Sequence, residues 1–368
     1  MKEPPSELHT YSLKDCFWRE NELTGMGLRE DDFKFKASES SSVDRALSES
    51  GEFVFSKRSL CTPFCVGVLD ERSIQKNGLF AAASSSGSAL DVESDLVDVS
   101  VTTDTGGSTI TPAARLNLWG FKPSYGRISR HGMVPLCSVL DTVGLISREF
   151  PLIEKAFSVL DHEDPRDPTS LESGLRDSGV VSGEVRIACN LFNSKDLEVV
   201  RVIFPEGKLE QFHLSEKLTE GAYSYVMCPD FFSNMARFDG VNHKRRGSTL
   251  VSDYRMRDII KRRDTLLSPE IRSRILLGGH LLRTSYSMKP YEVFCEKVKA
   301  LLGDHIWVFP VAKDLRNNRL SRTSWCVINN LLKRPSVTFP TRTEGGVQVS
   351  SPHNSDLYLL DFIRNRIR

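Results

Sequence analysis

No apolar run in the chain approaches the roughly 18 to 20 residues that a membrane span requires, so no spanning helix is expected. Neither sign of charge is in excess. The 49 Lys and Arg against 48 Asp and Glu leave a net charge of +1, which supplies no overall field to gather nucleic acid or an anionic membrane. An RNA partner would have to be held mostly by something else. The eight cysteines are scattered. The nearest pair, Cys61 and Cys65, has neither a second pair nor a histidine at zinc-site spacing, so free thiols in a reducing compartment are the expectation. The chain also has no tandem repeat and no long linker. Its opening, MKEPPSELHT, mixes Lys2 with Glu3 and Glu7, unlike an acid-poor transit peptide, and gives no address. None of the eight histidines falls in a G-x-S-x-G elbow or another familiar nucleophile frame.

What is there is enough to build a large core. A chain of 368 residues with 39% hydrophobic content predicts one big α/β domain or two intimate lobes. LVDVSVTT (96–103) alternates apolar and polar with β-branched residues and reads as a strand, and Pro112 with AARLNLWG reads as a helix ended by Gly120. Further strand candidates are EVRIAC (184–189), EVVRVIF (198–204), AYSYVMC (222–228), IWVFPV (306–311) and SVTFP (336–340). The clearest helix is SPEIRSRILLGGHLL, with Ser268 as cap, Pro269 at the first helical position and Glu270 in the first turn. Two charged, Ser-rich stretches, 36–51 and 165–179, read as surface loops or short helices.

Between strand and helix lies VTTDTGGSTITP (101–112), with the serine run AASSSGS (82–88) shortly before it. A serine hydroxyl is scarcely ionised at neutral pH, so attack on an amide needs a base for its proton and donors for the oxyanion. Gly106 and Gly107 can adopt positive φ and let the N–H groups of Thr105 through Ser108 converge on one point, a hole contributing roughly 3 kcal/mol per donor. The stretch TDTGGS (103–108) also makes a plain tight turn. For the base, a histidine is unsupported, and another route is a neutral lysine, its pKa lowered by burial, that takes the proton through an intervening serine hydroxyl. The serine run can supply that relay or be a flexible loop.

The run SSSGSA, then TTDTGGSTITPAA, then WGFKPSYGRISRHGMVPLCSVLDTVGLISR resembles the amidase signature family. The later segments DPRDPTSL (164–171), NMARFDGVNH (234–243) and RSRILLGG (272–279) are similar to its glutamyl-tRNA(Gln) amidotransferase A-subunit branch. The resemblance runs patchily from about residue 11 to 340. It implies an α/β amidase-signature fold, a central mixed β-sheet with helices on both faces. The whole chain, 1–368, then forms one such domain, with 11–150 carrying the signature motifs and 180–340 the substrate-side half. It also implies a Ser-cisSer-Lys triad. Ser108 falls on the nucleophile that carries the acyl ester, Ser84 on the bridging serine with its cis peptide bond, and Lys14, in YSLKDCF, on the general base. Lys57 falls on a second, non-triad lysine, and Arg274 on the arginine that grips the α-carboxylate of glutamine. Counting back from Pro335, the family's ammonium-facing aspartate falls on Thr323, which carries no charge. Ala82 and Ala83 stand for two glycines, and Ile110 for an arginine, which leaves Asp104 to find another partner such as Arg115.

The resemblance further implies glutamine hydrolysis with ammonia passed to a B subunit, where Glu-tRNA(Gln), ATP and magnesium yield Gln-tRNA(Gln). It implies no cofactor in this chain itself, a small third subunit of C or F type, and a mitochondrial location. The departures leave open a free-standing amidase acting on another amide, or a structural subunit without catalysis. The basic stretches HKRRGS (243–248) and RMRDIIKRR (255–263) read as solvated faces before RNA contacts, and Leu357, Leu359, Leu360 and Phe362 of the C-terminal segment are expected to pack on the core.

Overall fold

The computed structural model describes residues 8–28, 35–67, 75–76, 79–80, 83–237, 267–312, 325–341 and 343–366. Thr323, Ala82 and the basic stretches 243–248 and 255–263 lie outside the described residues.

The strands are β1 (His9–Lys14), β2 (Leu23–Thr24), β3 (Phe35–Lys36), β4 (Phe53–Ser59), β5 (Gln75–Lys76), β6 (Leu79–Phe80) and β7 (Val99–Asp104) in the first part of the chain. They continue with β8 (Trp119–Lys122), β9 (Thr142–Ser147), β10 (Val185–Ala188), β11 (Lys208–Glu210), β12 (Ile306–Pro310), β13 (Ser336–Thr338) and β14 (Val347–Ser350). Ten of them form one mixed sheet in the order β11-β10-β12-β14-β13-β8-β9-β7-β1-β4, and β2-β3 and β5-β6 are separate two-stranded ribbons. β4, β1 and β7 run parallel to one another, whereas β9 pairs antiparallel to β7.

Side chains alternate across a strand, and β12 shows where they go. Ile306 and Val308 enter one core with Val99, Val101 and Leu145, and with Phe157 and Leu359 from helices Phe150–Leu160 and Asp356–Arg366. Trp307 and Phe309 enter the other, against helices Glu216–Met235 and Lys289–Leu302. Both faces are therefore covered, as expected of an α/β domain with a central mixed sheet and helices on both sides.

Three local expectations are corrected. EVVRVIF is not a strand but the end of helix Ser194–Ile203, because Asn193 caps the Asp196 N–H and only one apolar side of the β-branched run is needed: Val200 is buried and Val202 is 81% exposed. AYSYVMC lies within helix Glu216–Met235, capped by Ser215, with Thr219, Val226, Met227 and Phe231 on its buried side. The helix after Pro112 is shorter than expected, Ile110–Arg115, since Asn117 at φ 57° turns the chain and Trp119 and Gly120 join β8. At the C-terminal helix, Leu359, Leu360 and Phe362 pack inward as expected, but Leu357 is half exposed.

Candidate active site

Lys14 ends β1 and Thr103 comes one residue before the end of the neighbouring β7. The two strands are parallel, so both residues reach the carboxyl edge of the sheet together, where open α/β sheets place their ligands. The Lys14 side chain is fully buried, and Nζ donates to Ser84 Oγ at 2.7 Å and to Thr103 Oγ1 at 2.6 Å.

Ser84 is held there by the start of helix Ser86–Glu93. A Cβ on Gly87 would stand 2.3 Å from the Leu60 carbonyl oxygen, so the first turn of that helix lies directly on the backbone beyond β4. Asp91, near the other end of the helix, accepts from Lys57 Nζ at 2.6 Å and from Ser59 Oγ at 2.7 Å. With the Ser59 proton directed at Asp91, Ser12 donates to Ser59 and Ser100 to Ser12, each pair at 2.8 Å. This buried hydroxyl chain ties the helix to β4, β1 and β7 at once, and Lys57 serves as an anchor for it. Among the described residues every peptide bond is trans, which corrects the expected cis bond at Ser84. The chain instead enters Ser84 through Ala83 at φ 89°, a conformation that disfavours a side chain and suits the glycine usual in the family.

After β7 the chain folds around its own last carboxylate. Asp104, wholly buried, accepts from the N–H groups of Gly107 at 2.6 Å and Thr109 at 2.7 Å and from Asn330 Nδ2 at 2.9 Å. These donors compensate the carboxylate without an arginine at position 110. They also correct the oxyanion expectation, because the Gly107 N–H is committed to Asp104. Thr105, Gly106 and Ser108 supply the remaining N–H groups of the turn. Thr105 is fixed by its hydroxyl, which donates to Asp141 Oδ1 at 2.6 Å. Asp141 also accepts from the N–H groups of Leu136 and Cys137, and burial pushes its carboxyl up to about 6. Ser108 stands part-exposed at the tip of the turn, and its hydroxyl makes no hydrogen bond to Ser84 or Lys14.

The charge state of Lys14 departs from expectation. Burial disfavours the ammonium, but the thiols of Cys65, Cys16 and Cys61 and the Asp104 carboxylate face it, and together they hold its pKa above the ordinary lysine value. The amine is thus an ammonium with two hydroxyl acceptors, not a neutral base at rest.

Arg274 lies on helix Pro269–Arg283, which crosses helix Glu216–Met235 so closely that a Cβ on Gly278 would stand 2.1 Å from the Cys228 carbonyl oxygen. That crossing sets Arg274 beside Met227 and Tyr223, and its Nη2 pairs with Glu270 at 2.6 Å. Tyr223 was not anticipated. Its ring and hydroxyl lie 3.0 Å from where a Gly106 Cβ would be, so it forms a wall over the Gly-Gly-Ser turn, and burial keeps the phenol protonated. Thr103, Asp141 and Asn330 were missed as well. Thr103 sits inside the motif already singled out, but the other two are joined to it only through the fold. Among the described residues no cluster of His, Cys, Asp or Glu is arranged to hold a metal ion, and no helix is long and apolar enough to cross a membrane.

Residues 75–194 match the profile of a family described as Amidase. The mitochondrial glutamyl-tRNA(Gln) amidotransferase A-subunit of Eremothecium gossypii is 36% identical over 225 residues, covering 55% of this chain and 47% of that protein. The protein of that name in Emericella nidulans is 29% identical over 337 residues, covering 83% of this chain and 66% of its own length. The chain thus spans about half to two thirds of these relatives. Among solved structures, a Kluyveromyces lactis allophanate hydrolase aligns with a TM-score of 0.76 at 19% identity, over 98% of this chain and 61% of that one. The Thermotoga maritima glutamyl-tRNA(Gln) amidotransferase A-subunit aligns with a TM-score of 0.73 at 19% identity, over 96% and 82%. At such identities these two likenesses concern the fold.

Proposed function

We propose that the chain is a member of the amidase signature family, supported by the Amidase profile match over residues 75–194, and that it is the glutamine-hydrolysing member of a tRNA-dependent amidotransferase complex, with Ser108 as nucleophile, Ser84 as bridge and Lys14 as base. The observation that carries this reading is the 2.7 Å hydrogen bond between buried Lys14 Nζ and Ser84 Oγ, formed at the strand edge beside the Gly-Gly-Ser turn. The names of the most similar relatives support the A-subunit role.

In this mechanism Lys14 first loses its extra proton. The neutral amine then accepts the Ser84 proton, Ser84 takes the proton of Ser108, and Ser108 Oγ attacks the carboxamide carbon of glutamine. Rotation of Ser108 completes the second leg of the relay, as resting-state catalytic contacts commonly tighten with substrate. The N–H groups of Thr105, Gly106 and Ser108 receive the oxyanion. Return of the proton through Ser84 releases ammonia and leaves a glutamyl ester on Ser108, which water hydrolyses by the same path. ATP and magnesium belong to the partner's step on Glu-tRNA(Gln). The ammonia passes to a B subunit, which has a small third subunit of C or F type beside it. A mitochondrial location follows the naming of the relatives.

A second reading has its own support. Arg274 is already paired with Glu270, and an α-carboxylate would have to share or displace that partner. An amide lacking an α-carboxylate needs no such exchange, which favours a free-standing amidase. The test measures ammonia release by the full chain, with and without a B subunit, from glutamine and from simple primary amides, for the native chain and for Ser108→Ala. Glutamine turnover that needs both Ser108 and the B subunit supports the first reading. Turnover of simple amides alone supports the second, and complexes that assemble with no Ser108-dependent turnover reduce the chain to a scaffold.

A further inference from the structure

Beside Lys14, and unused by the mechanism above, three cysteines from two segments converge: Cys16 after β1, and Cys61 and Cys65 on the stretch after β4, Cys65 at the end of the short turn Pro63–Cys65. Cys61 Sγ and Cys65 Sγ are 3.7 Å apart. The turn that brings them together is strained, because Phe64 and Cys65 both hold positive φ, 56° and 58°, where residues with side chains are rarely found. Cys61 is partly exposed and Cys65 keeps 9% of its surface, so a small solute can reach the edge of the pair, whereas Cys16 is only 1% exposed. Hydrogen bonds from Cys16 and Cys61, with the Lys14 ammonium nearby, hold the Cys65 thiol well below its ordinary pKa, while Cys61 is held above it. An attacking thiolate next to a protonated partner is the arrangement of a peroxidatic and resolving pair.

We propose that Cys61 and Cys65 form a redox modification site, oxidised by hydrogen peroxide to an intramolecular disulfide, with Cys65 oxidised first and Cys61 resolving. The Cys65 thiolate attacks a peroxide oxygen; the S–O bond forms, the O–O bond breaks, and the departing hydroxide takes a proton to become water. The sulfur is now a sulfenic acid, oxidised by two electrons, and the peroxide is reduced by two. The Cys61 thiol then attacks the Cys65 sulfur, the S–S bond forms, the S–O bond breaks, and a second water leaves with the Cys61 proton. Closure removes a charge that faces Lys14 and leaves Cys16 and Asp104 facing it. The proposal does not depend on the chain being a glutaminase, and its test reads chemistry at sulfur, not turnover.

The full chain is titrated with hydrogen peroxide, blocked with N-ethylmaleimide and mapped by peptide mass spectrometry. The expected product is a single peptide carrying both Cys61 and Cys65, two hydrogens lighter and restored by dithiothreitol. Before oxidation Cys65 should be alkylated roughly tenfold faster than buried Cys326. In Cys61→Ser, Cys65 should stop at the sulfenic acid and be trapped by dimedone. A Cys16 cross-link, or Cys61 and Cys65 both fully alkylated after peroxide treatment, overturns the proposal. Since the native-chain map needs no substitution, misfolding of a variant leaves that decision intact.

Discussion

Lys14 is a base only after it is uncharged, and its surroundings hold it charged. The neutral fraction of a group whose pKa lies above the ordinary 10.5 rises tenfold with each pH unit below that value. For a Lys14 base, kcat/KM for ammonia release should therefore climb across pH 7 to 10 with a slope of about one logarithmic unit per pH unit and no plateau. A plateau beginning near neutrality would show the amine free at rest. Lys14→Met replaces the amine by a chain of similar length and removes a buried charge, so the thermal midpoint should hold while turnover falls by roughly 10⁴-fold. A loss under tenfold would remove Lys14 from the proton path. The Gly-Gly-Ser turn and the serine run stood out as local motifs, whereas the roles given to Ser108 and Ser84 within them came from the resemblance. Lys14 was reached only through the resemblance, since a lysine close to one end of a sequence carries no sign of burial. Asp141 and Asn330 had no local sign at all.

At the scale of elements, the first turn of helix Ser86–Glu93 fixes Ser84, and Gly87 permits its contact with Leu60. Gly87→Ala puts a methyl 2.3 Å from a backbone oxygen that has no rotamer to yield. The helix must lift, and the variant should lose about 1 to 3 kcal/mol in denaturant unfolding together with most of its turnover. Gly221→Ala makes the matching control, because nothing lies within 4 Å of its Cβ inside helix Glu216–Met235. That change should stabilise by about 0.5 to 1 kcal/mol and leave turnover alone. Equal losses for both variants would defeat the argument from close approach. The same helices show where the sequence misleads. EVVRVIF and AYSYVMC carry strand-forming residues, yet Asn193 and Ser215 cap them into helices that need only one buried side. Strands buried on both faces, such as β12 and β13, were legible, since each reads as a short apolar run whatever its partner.

Across the whole molecule, the nucleophile turn is braced from distant segments: Asp104 by Asn330, Thr105 by Asp141, and Gly106 by Tyr223. Such bracing is invisible in a one-dimensional pattern, because each partner acquires its meaning only when the sheet places it. Asp141 makes the cost of this bracing measurable. Its carboxyl is raised from 3.8 to about 6 by burial, so the folded chain binds its proton more tightly than the unfolded chain. Between those two values the folded state holds more protons, and stability falls as pH rises. The contribution is fully present below about pH 4 and lost through pH 6, a change of about 3 kcal/mol. Asp141→Asn cannot titrate. Unfolding free energies of the two chains from pH 4 to 7 should therefore diverge, the native chain losing about 3 kcal/mol relative to the variant on the way up. Other titrating groups cancel in that difference because both chains share them. Parallel curves would mean that Asp141 is solvated, and the anchor of Thr105, with the oxyanion donors it positions, would go with it.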